Sequence, residues 1–261
     1  MTSNLNLILT APQAQAHAAA GYGVPVAHMS YRVGPGPQLL RGGIPAALRG
    51  GFLMMDDQGY TPERGGCAAF CQQVLRECAL RGYTGVIADW ENPPGQAQAE
   101  LTQAMDQALN GKGWPLFVTE PYAKCAPHAR VMISSAVSGG SLSERLSEAA
   151  ERYGIERIAL AVERCAEDFT MPSPSGAGNK LSGEALGALM EEYRPATYFS
   201  NELCAHYFTY RPEGQSGVHF VLYDDGGSIR KKLQTARNLG ISYALMAYPE
   251  VSGLLPDVLS L

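Results

Sequence analysis

The sequence predicts one α/β barrel of eight parallel strands, with a small α+β insertion between the seventh strand and the seventh helix. Its 261 residues suit a single domain of this kind, because an α/β barrel occupies about 250 residues. Short apolar runs alternate with helical patterns over most of the chain, which predicts right-handed βαβ units around a parallel sheet. Eight such runs favour a closed barrel, and an open doubly wound sheet is the alternative.

The predicted strands are short apolar runs, in chain order Leu5–Leu9, Val24–Ser30, Gly51–Asp56, Gly85–Trp90, Pro115–Glu120, Val131–Ser135, Arg157–Glu163 and Ser242–Tyr248. The predicted helices between them include Cys67–Arg81, Gln96–Asn110, Ser141–Tyr153 and Ser228–Leu239. We expect the carboxyl ends of the strands to meet on one rim, where α/β barrels carry their functional residues.

One stretch, Thr170–Phe220, interrupts this alternation. It is too long for a simple loop and is rich in Pro, Gly and Ser. A helix is predicted at Ser182–Tyr193, and β-like pieces at Thr197–Phe199, His206–Tyr210 and Val218–Leu222. We therefore predict one barrel domain over 1–261 with an insertion subdomain over 170–220, which rises on the catalytic face and walls one side of a cleft.

Composition and charge narrow the classes of partner. Hydrophobic residues make up 46% and charged residues 17% of the chain, which is ordinary for a globular protein with a sizeable core. The net charge is −5 and no run of Lys or Arg stands out, so neither nucleic acid nor an anionic membrane surface is predicted as a partner. The amino terminus lacks the basic region of a signal peptide, and no apolar run approaches the roughly 20 residues of a membrane span. We expect a cytoplasmic protein.

Three cysteines, Cys67, Cys71 and Cys78, share one face of a predicted helix. A thiolate metal site is one interpretation, but no C-x-x-C pair or matched histidine accompanies them. We favour small, reduced side chains that pack the helix against the core. No metal and no cofactor are predicted.

The most informative segment is YTGVIADWE, residues 83–91, a buried strand that ends in two carboxylates. Asp89 and Glu91 lie two residues apart, so their side chains point to the same side of the strand. Such an acid pair is costly to place at the end of an interior strand, and it indicates acid catalysis on a glycosidic bond. Glu91 is the predicted proton donor, and Asp89 supplies the nearby negative charge that raises the pKa of Glu91.

Other strand ends bring further polar side chains to the same predicted rim. For any one of them the alternative is a solvated loop carboxylate or a helix cap, but together they favour the binding of a polyol or an amino sugar. We predict that five of them bind the substrate: Tyr31, Asp57, Glu120, Glu163 and Tyr248. Glu120 lies one strand along from Glu91 and is also a candidate second carboxylate.

With these residues the sequence resembles glycoside hydrolase family 18, in particular its chitinase-like and spore-cortex-lytic N-acetylglucosaminidase branch. That family ends its fourth strand with DxxDxDxE; here Thr84 and Ile87 replace the first two acids while Asp89 and Glu91 remain. Three later segments are similar in order and spacing: IALAVERCAEDFTMP, PATYFSNELCAHYFTY and FVLYDDGGSIRKKLQTARNLGISYALMAYPE. The resemblance covers roughly residue 51 to the end.

The resemblance implies substrate-assisted hydrolysis of a glycan that contains N-acetylglucosamine (GlcNAc), such as chitin or peptidoglycan, in a sporulation setting. In that mechanism the acetamide oxygen of the substrate attacks the anomeric carbon, and an aspartate at the position of Asp89 orients the acetamide. Two family residues that hold the sugar are replaced, a strand-six tyrosine near Ser135 and a strand-eight tryptophan at Ala244. Two hypotheses follow, a hydrolase with a remodelled sugar site and a catalytically silent carbohydrate-binding protein.

Overall fold

Eight parallel strands close into a barrel in this computed structural model, which describes residues 5–43, 48–60, 65–136, 140–172, 176, 178–214 and 217–260. The barrel strands are β1 (Asn6–Pro12), β2 (Val26–Gly34), β4 (Phe52–Asp56), β5 (Gly85–Asp89), β6 (Leu116–Thr119), β7 (Arg130–Ser134), β8 (Ile158–Val162) and β14 (Tyr243–Ala247). Their order around the sheet is β1-β14-β8-β7-β6-β5-β4-β2, and β2 pairs back onto β1. This closure confirms the predicted barrel and excludes an open sheet. A short strand, β3 (Gln38–Arg41), adds an antiparallel partner to β2.

Helices connect the strands on the outside of the barrel, at α1 (Ala16–Ala20), α2 (Cys67–Arg81), α3 (Gln96–Asn110), α4 (Leu142–Tyr153), α6 (Gly226–Leu239), α7 (Tyr248–Val251) and α8 (Leu255–Leu259). The bounds predicted for α2 and α3 are confirmed. Two helix starts are fixed by capping boxes, in which Ser141 caps α4 and Asp225 caps α6. Within the described ranges no helix is both long and apolar enough to cross a membrane.

The barrel interior is filled by alternate residues of the strands. Phe52 and Phe117 meet edge to face with ring centroids 5.8 Å apart, and Ile87 and Leu245 belong to the same buried cluster. Gly85 allows this packing, because a Cβ there would lie 2.8 Å from the Phe52 ring. The intervening residues of each strand face the helices, so the two sides of a strand end lie in different environments.

A β-bulge in β2 changes which of its residues face the interior. Met29 pairs with Met54, but the next pair is Tyr31 with Met55, so the register shifts by one residue between Met29 and Tyr31. The extra residue turns Tyr31 toward the helices and brings Arg32 opposite Asp56.

The insertion between β8 and α6 is a five-stranded antiparallel sheet with one helix. Its strands are β9 (Ala166–Met171), β10 (Asn179–Lys180), β11 (Tyr198–Ser200), β12 (Ala205–Tyr210) and β13 (Val218–Tyr223), in the spatial order β10-β9-β13-β12-β11. Helix α5 (Gly183–Tyr193) packs Leu186 against Phe208 and Val221 on one face. The sheet thus starts before residue 170 and ends after residue 220. The assignment of 1–261 to a single domain stays a prediction.

A buried ion pair joins the insertion to the barrel. Lys232 Nζ lies 2.5 Å from Asp224 Oδ2, and both side chains are almost fully buried. Asp224 also accepts a hydrogen bond from the backbone N–H of Cys165, while Lys232 donates to the carbonyl of Glu163. One pair therefore fixes the first and last residues of the insertion to the end of β8.

Candidate active site

Three carboxylates gather where β4 and β5 end at the barrel mouth. Asp56 and Asp89 are direct partners in the parallel ladder. They follow the interior residues Met54 and Ile87 by two positions, so both face the inside of the barrel. Glu91 lies two residues beyond Asp89 and is exposed. The structure therefore brings the predicted pair, Asp89 and Glu91, together with Asp56.

Asp89 is held in an environment that disfavours its charge. Burial is the main cause of a raised pKa, and the negative charges of Glu91, Asp56 and Asp57 raise the pKa further. Within the described part of the chain, its carboxyl group has no hydrogen-bonding partner. Asp89 therefore keeps its proton to a higher pH than an ordinary aspartate does.

Glu91 is positioned by a polar network that extends to β2. Its Oε1 accepts a hydrogen bond from Gln58 Nε2 at 3.1 Å. The backbone N–H of Gln58 donates to Asp56 Oδ1 at 3.0 Å, and Arg32 Nε donates to the same oxygen at 2.8 Å. Gln58 thus links the proposed acid to the Arg32–Asp56 ion pair, and no hydrogen bond joins Glu91 to Asp89 in the described residues.

Asp57 faces the helices and supports the loop that carries Glu91. Its side chain has no exposed surface. Oδ1 accepts from the backbone N–H of Glu91 at 2.8 Å, and Oδ2 accepts from Asn92 Nδ2 at 3.0 Å and from Gln98 Nε2. A carboxylate enclosed in this way positions the loop that carries Glu91. The substrate contact predicted for Asp57 stays a prediction, which its enclosure does not support.

Tyr31 does not lie at the mouth either. It is buried, and its hydroxyl donates to Glu77 Oε1 at 2.8 Å and lies 3.0 Å from the Tyr83 hydroxyl. Burial and these two neighbours raise the pKa of the Tyr31 phenol. The bulge in β2 explains this position, because it turns the Tyr31 side chain toward α2. Substrate binding by Tyr31 stays a prediction, and its burial against Glu77 and Tyr83 does not support it.

Glu120 is directed away from Glu91. It begins a short 3₁₀ helix, Glu120–Tyr122, and its carboxylate pairs with Arg145 and accepts a hydrogen bond from the Tyr153 hydroxyl at 3.2 Å. Both partners belong to α4 on the outside of the barrel. Glu120 thus forms an ion pair between the 3₁₀ helix after β6 and α4. Substrate binding by Glu120 and its role as a second carboxylate stay predictions, which this orientation does not support.

The two remaining predicted residues differ from each other. Glu163 is exposed at the end of β8, and its backbone N–H donates to Ser135 Oγ at 3.0 Å. Tyr248 is buried in the outer core, with its ring centroid 6.1 Å from that of Tyr22. Glu163 therefore stays a candidate for substrate contact, whereas the position of Tyr248 gives it a packing role.

The opposite half of the mouth carries small side chains. Ser134 and Ala247 end β7 and β14 in the interior-facing positions, two residues after Met132 and Leu245. Ala244 is fully buried in the helix-facing core, so Ala247 and not Ala244 is the residue of β14 that lines the mouth. Neither β7 nor β14 therefore carries a large side chain at its interior-facing last position.

Metal ligation finds no support in the described residues, where no group of three or more His, Cys, Asp or Glu side chains could hold an ion. The cysteines of α2 were expected to pack the helix against the core. Two of them, Cys71 and Cys78, are buried and do so, while Cys67 is partly exposed. Burial raises the pKa of Cys78 to about 12, which keeps this thiol protonated.

Sequence reasoning missed Arg32 and Gln58, the two partners of the acid cluster. The bulge that brings Arg32 to the mouth has no signature in the alternation of β2. Gln58 follows the paired acids Asp56 and Asp57 in a turn, where a glutamine is unremarkable. Proximity to an acid at a strand end is the one signal that could have indicated Gln58.

Comparison with solved structures supports the fold. The class V chitinase of Nicotiana tobaccum superposes with a TM-score of 0.71 at 11% identity, covering 99% of this chain and 98% of that one, and it has also been solved in complex with NAG4. The spore cortex-lytic enzyme SleL of Bacillus cereus gives 0.69 at 16% identity, covering 99% and 75%. A chitinase of Chromobacterium violaceum gives 0.65 at 17% identity, covering 97% and 99%. No family model and no curated protein matches the sequence.

These solved structures show which fold the chain has. The chain has the barrel of chitinases and spore cortex-lytic enzymes, which confirms the fold implied by the resemblance to family 18. Identities of 11–17% carry the fold alone. The chemistry must therefore be argued from the residues at the mouth.

Proposed function

We propose that the protein is a glycoside hydrolase that cleaves a GlcNAc-containing glycan, in which Glu91 is the proton donor and Asp89 assists the reaction. The observation that carries the proposal is the cluster of Asp56, Asp89 and Glu91 at the interior-facing ends of two adjacent strands. Glu91 is exposed, and among the described residues its carboxylate is bound by the neutral amide of Gln58 alone, so its carboxyl group is accessible to a glycosidic oxygen.

Proton donation by Glu91 is the first step of the proposed reaction. Its carboxyl proton passes to the leaving oxygen as the bond between that oxygen and the anomeric carbon breaks. Gln58 restricts the rotation of the Glu91 side chain, and Asp57 holds the backbone N–H of the same residue. The acid is therefore held from two sides before a substrate arrives.

Stabilisation of the anomeric carbon is assigned to the substrate. Glu120 points toward α4, and Asp56 is engaged by Arg32, so neither offers a free carboxylate for nucleophilic attack. The acetamide oxygen of a GlcNAc unit supplies the nucleophile in the substrate-assisted variant of the reaction and forms a cyclic intermediate as the leaving oxygen departs. Water then attacks the anomeric carbon of this intermediate, and Glu91 takes back a proton from that water, which restores the acid and the acetamide. Asp89 can donate a hydrogen bond from its carboxyl group when protonated and accept one from the acetamide N–H when ionised; its raised pKa extends the protonated form to higher pH than in an ordinary aspartate.

A carbohydrate-binding protein without turnover is the second candidate. The observation that favours it is the lack of large side chains at Ser134 and Ala247, where an aromatic floor or a tyrosine hydroxyl would hold the reacting sugar. A sugar held loosely at this point spends less time in a reactive geometry. The retained, accessible Glu91 favours the hydrolase.

Incubation with defined oligosaccharides separates the two functions. We would treat chitotetraose and a peptidoglycan disaccharide-peptide fragment with wild-type protein, follow reducing ends by chromatography, and titrate the same ligands by calorimetry. The hydrolase predicts shorter products from at least one ligand, and the exposed α4 variant Glu151→Gln serves as a matched control with unchanged rate. Saturable binding with no product from any ligand would establish the second candidate instead.

A further inference from the structure

A cavity opens at the amino-terminal end of the barrel, opposite to the acid cluster. Its volume is about 410 Å³, within the range of small-molecule sites. It lies where β6, β7 and β14 begin and is lined there by Leu116, Arg130 and Tyr243. Asp106 of α3, Trp114 in the segment after α3, and Glu156 also line it. This end of a barrel ordinarily serves stability, so a polar cavity here needs a separate explanation.

Asp106 provides a buried acceptor without a donor. The residue is 1% exposed, and its Oδ2 receives the backbone N–H of His128 at 3.2 Å and the His128 ring at 2.8 Å. Its other oxygen, Oδ1, is buried and has no hydrogen-bonding partner in the described residues. An unpaired carboxylate oxygen is costly to bury, and a donor from a ligand would remove that cost.

Positive charge without a carboxylate partner lies in the same cavity. Arg130 stacks over the Tyr243 ring, with Cζ 4.4 Å from the centroid, and donates to the carbonyl of Glu156. Arg157 donates only to backbone carbonyls, those of residues 123, 126 and 129. Neither guanidinium forms an ion pair with a carboxylate in the described part of the chain. Arg130 in particular keeps donors free for an anion.

We infer that this cavity binds a small zwitterion of the α-amino-acid class. The ammonium group supplies the donor that Asp106 Oδ1 lacks, and the carboxylate pairs with the Arg130 guanidinium. His128 connects the two positions, because it contacts Asp106 and precedes Arg130 by two residues. Trp114 offers ring surface for an apolar side chain. A simple anion would leave Asp106 Oδ1 without a donor, and a simple cation would leave the remaining donors of Arg130 without an acceptor.

Phenylalanine and its two half-analogues test this complementarity in the full-length protein. Phenylpropionate lacks the ammonium group and phenethylamine lacks the carboxylate, while all three carry the same ring. Trp114 lines the cavity and Trp90 is buried elsewhere, with its Nε1 bonded to Thr102, so tryptophan fluorescence reports on binding. We expect saturable binding of phenylalanine, and binding of each half-analogue weaker by about tenfold or more because one charge-assisted hydrogen-bond set is lost.

Two variants localise the effect. Arg130→Met keeps the stem against Tyr243 but removes the charge, and it should weaken phenylalanine by about tenfold while leaving phenethylamine unchanged. Arg237→Met, on the exposed face of α6, is the matched control and should change neither. Asp106→Asn should weaken the binding of phenylalanine but not that of phenylpropionate. If this buried substitution prevents folding, the result for Arg130→Met decides the test.

Four results would overturn the inference, three of them from the amino-acid series. Those three are no saturable binding of phenylalanine, equal affinity for phenylalanine and a half-analogue, or undiminished phenylalanine binding by Arg130→Met. Inorganic phosphate that binds as tightly as phenylalanine would show a plain anion site and would overturn it as well. None of these outcomes bears on hydrolysis, because the cavity lies at the other end of the barrel from Glu91.

Discussion

Asp57 and Asp89 occupy the ends of adjacent strands, yet the two carboxylates have opposite environments. Asp57 faces the helices, is fully buried and is surrounded by donors from the Glu91 loop and α3. Asp89 faces the barrel interior, has no partner in the described residues, and lies among acids that raise its pKa. The helix-facing carboxylate of Asp57 is stabilised by its donors, whereas burial and neighbouring negative charges disfavour the ionised form of the interior-facing Asp89.

This difference follows from the geometry of the strands. Successive residues of a strand point to opposite sides, so Asp56 and Asp57 are separated into the mouth and the helix layer although they are neighbours in sequence. Donors are plentiful in the helix layer, where Gln98 and Asn92 reach Asp57. At the mouth, the charges that act on Asp89 are the carboxylates of Glu91, Asp56 and Asp57, an arrangement typical of functional sites.

Removal of Asp57 should give the largest effect on stability. Asp57→Ala leaves the backbone N–H of Glu91 and the side-chain amides of Asn92 and Gln98 without their acceptor, and we expect a loss of about 3 kcal/mol in the free energy of unfolding. Urea denaturation measures the loss. Asp57→Asn keeps one acceptor oxygen and should lower the free energy of unfolding by less. If Asp57→Ala were as stable as the wild-type protein, Asp57 would not support the loop that carries Glu91.

Replacement of Asp89 should act in the opposite direction. The folded protein holds the Asp89 proton above the ordinary pKa of 3.8, so in that pH window the folded state binds more protons and stability falls as pH rises. Asp89→Asn cannot ionise and should therefore melt at a higher temperature than wild type at neutral pH. The difference should vanish below the ordinary aspartate pKa.

The melting temperatures of Asp89→Asn and the wild-type protein should both be measured at neutral and at acidic pH. A variant Asp89→Asn that is less stable than wild type at neutral pH would show that the carboxylate is stabilised in the fold, as that of Asp57 is. Asp56→Asn is the matched control, because its carboxylate is paired with Arg32 and its loss should not stabilise.

Glu120 should give the smallest effect of the set. Its pair with Arg145 is partly exposed, with side-chain exposures of 27% and 31%, so Glu120→Gln should change the free energy of unfolding by less than about 1 kcal/mol. Because the carboxylate faces α4, the hydrolysis rate should be unchanged. A large fall in rate with intact folding would return Glu120 to the site.

The sequence predicted the barrel well because its signals are local. Apolar runs such as Gly85–Asp89 and amphipathic helices such as α2 need no long-range information to be recognised. Strand β9, AEDFTM, was missed because its few apolar residues give no clear alternation, and its pairing with β13 decides its structure. Tertiary pairing overrode the local pattern there.

The site was predictable only in part. The positions of Asp89 and Glu91 follow from the alternation of side chains along a strand. The position of Tyr31 depends on a bulge, and that of Glu120 on a 3₁₀ helix that directs it to Arg145, 25 residues later. A one-residue change of register reverses the facing of a side chain. No composition or spacing in β2 signals that change.

Proton donation by Glu91 is tested by the turnover of Glu91→Gln on the oligosaccharide that the wild-type protein cleaves. The amide keeps the shape and the contact with Gln58 but has no proton to give, so we predict a fall in kcat of about 10²–10⁴-fold with binding of the substrate retained. A Glu91→Gln variant that cleaves at the wild-type rate would contradict the account.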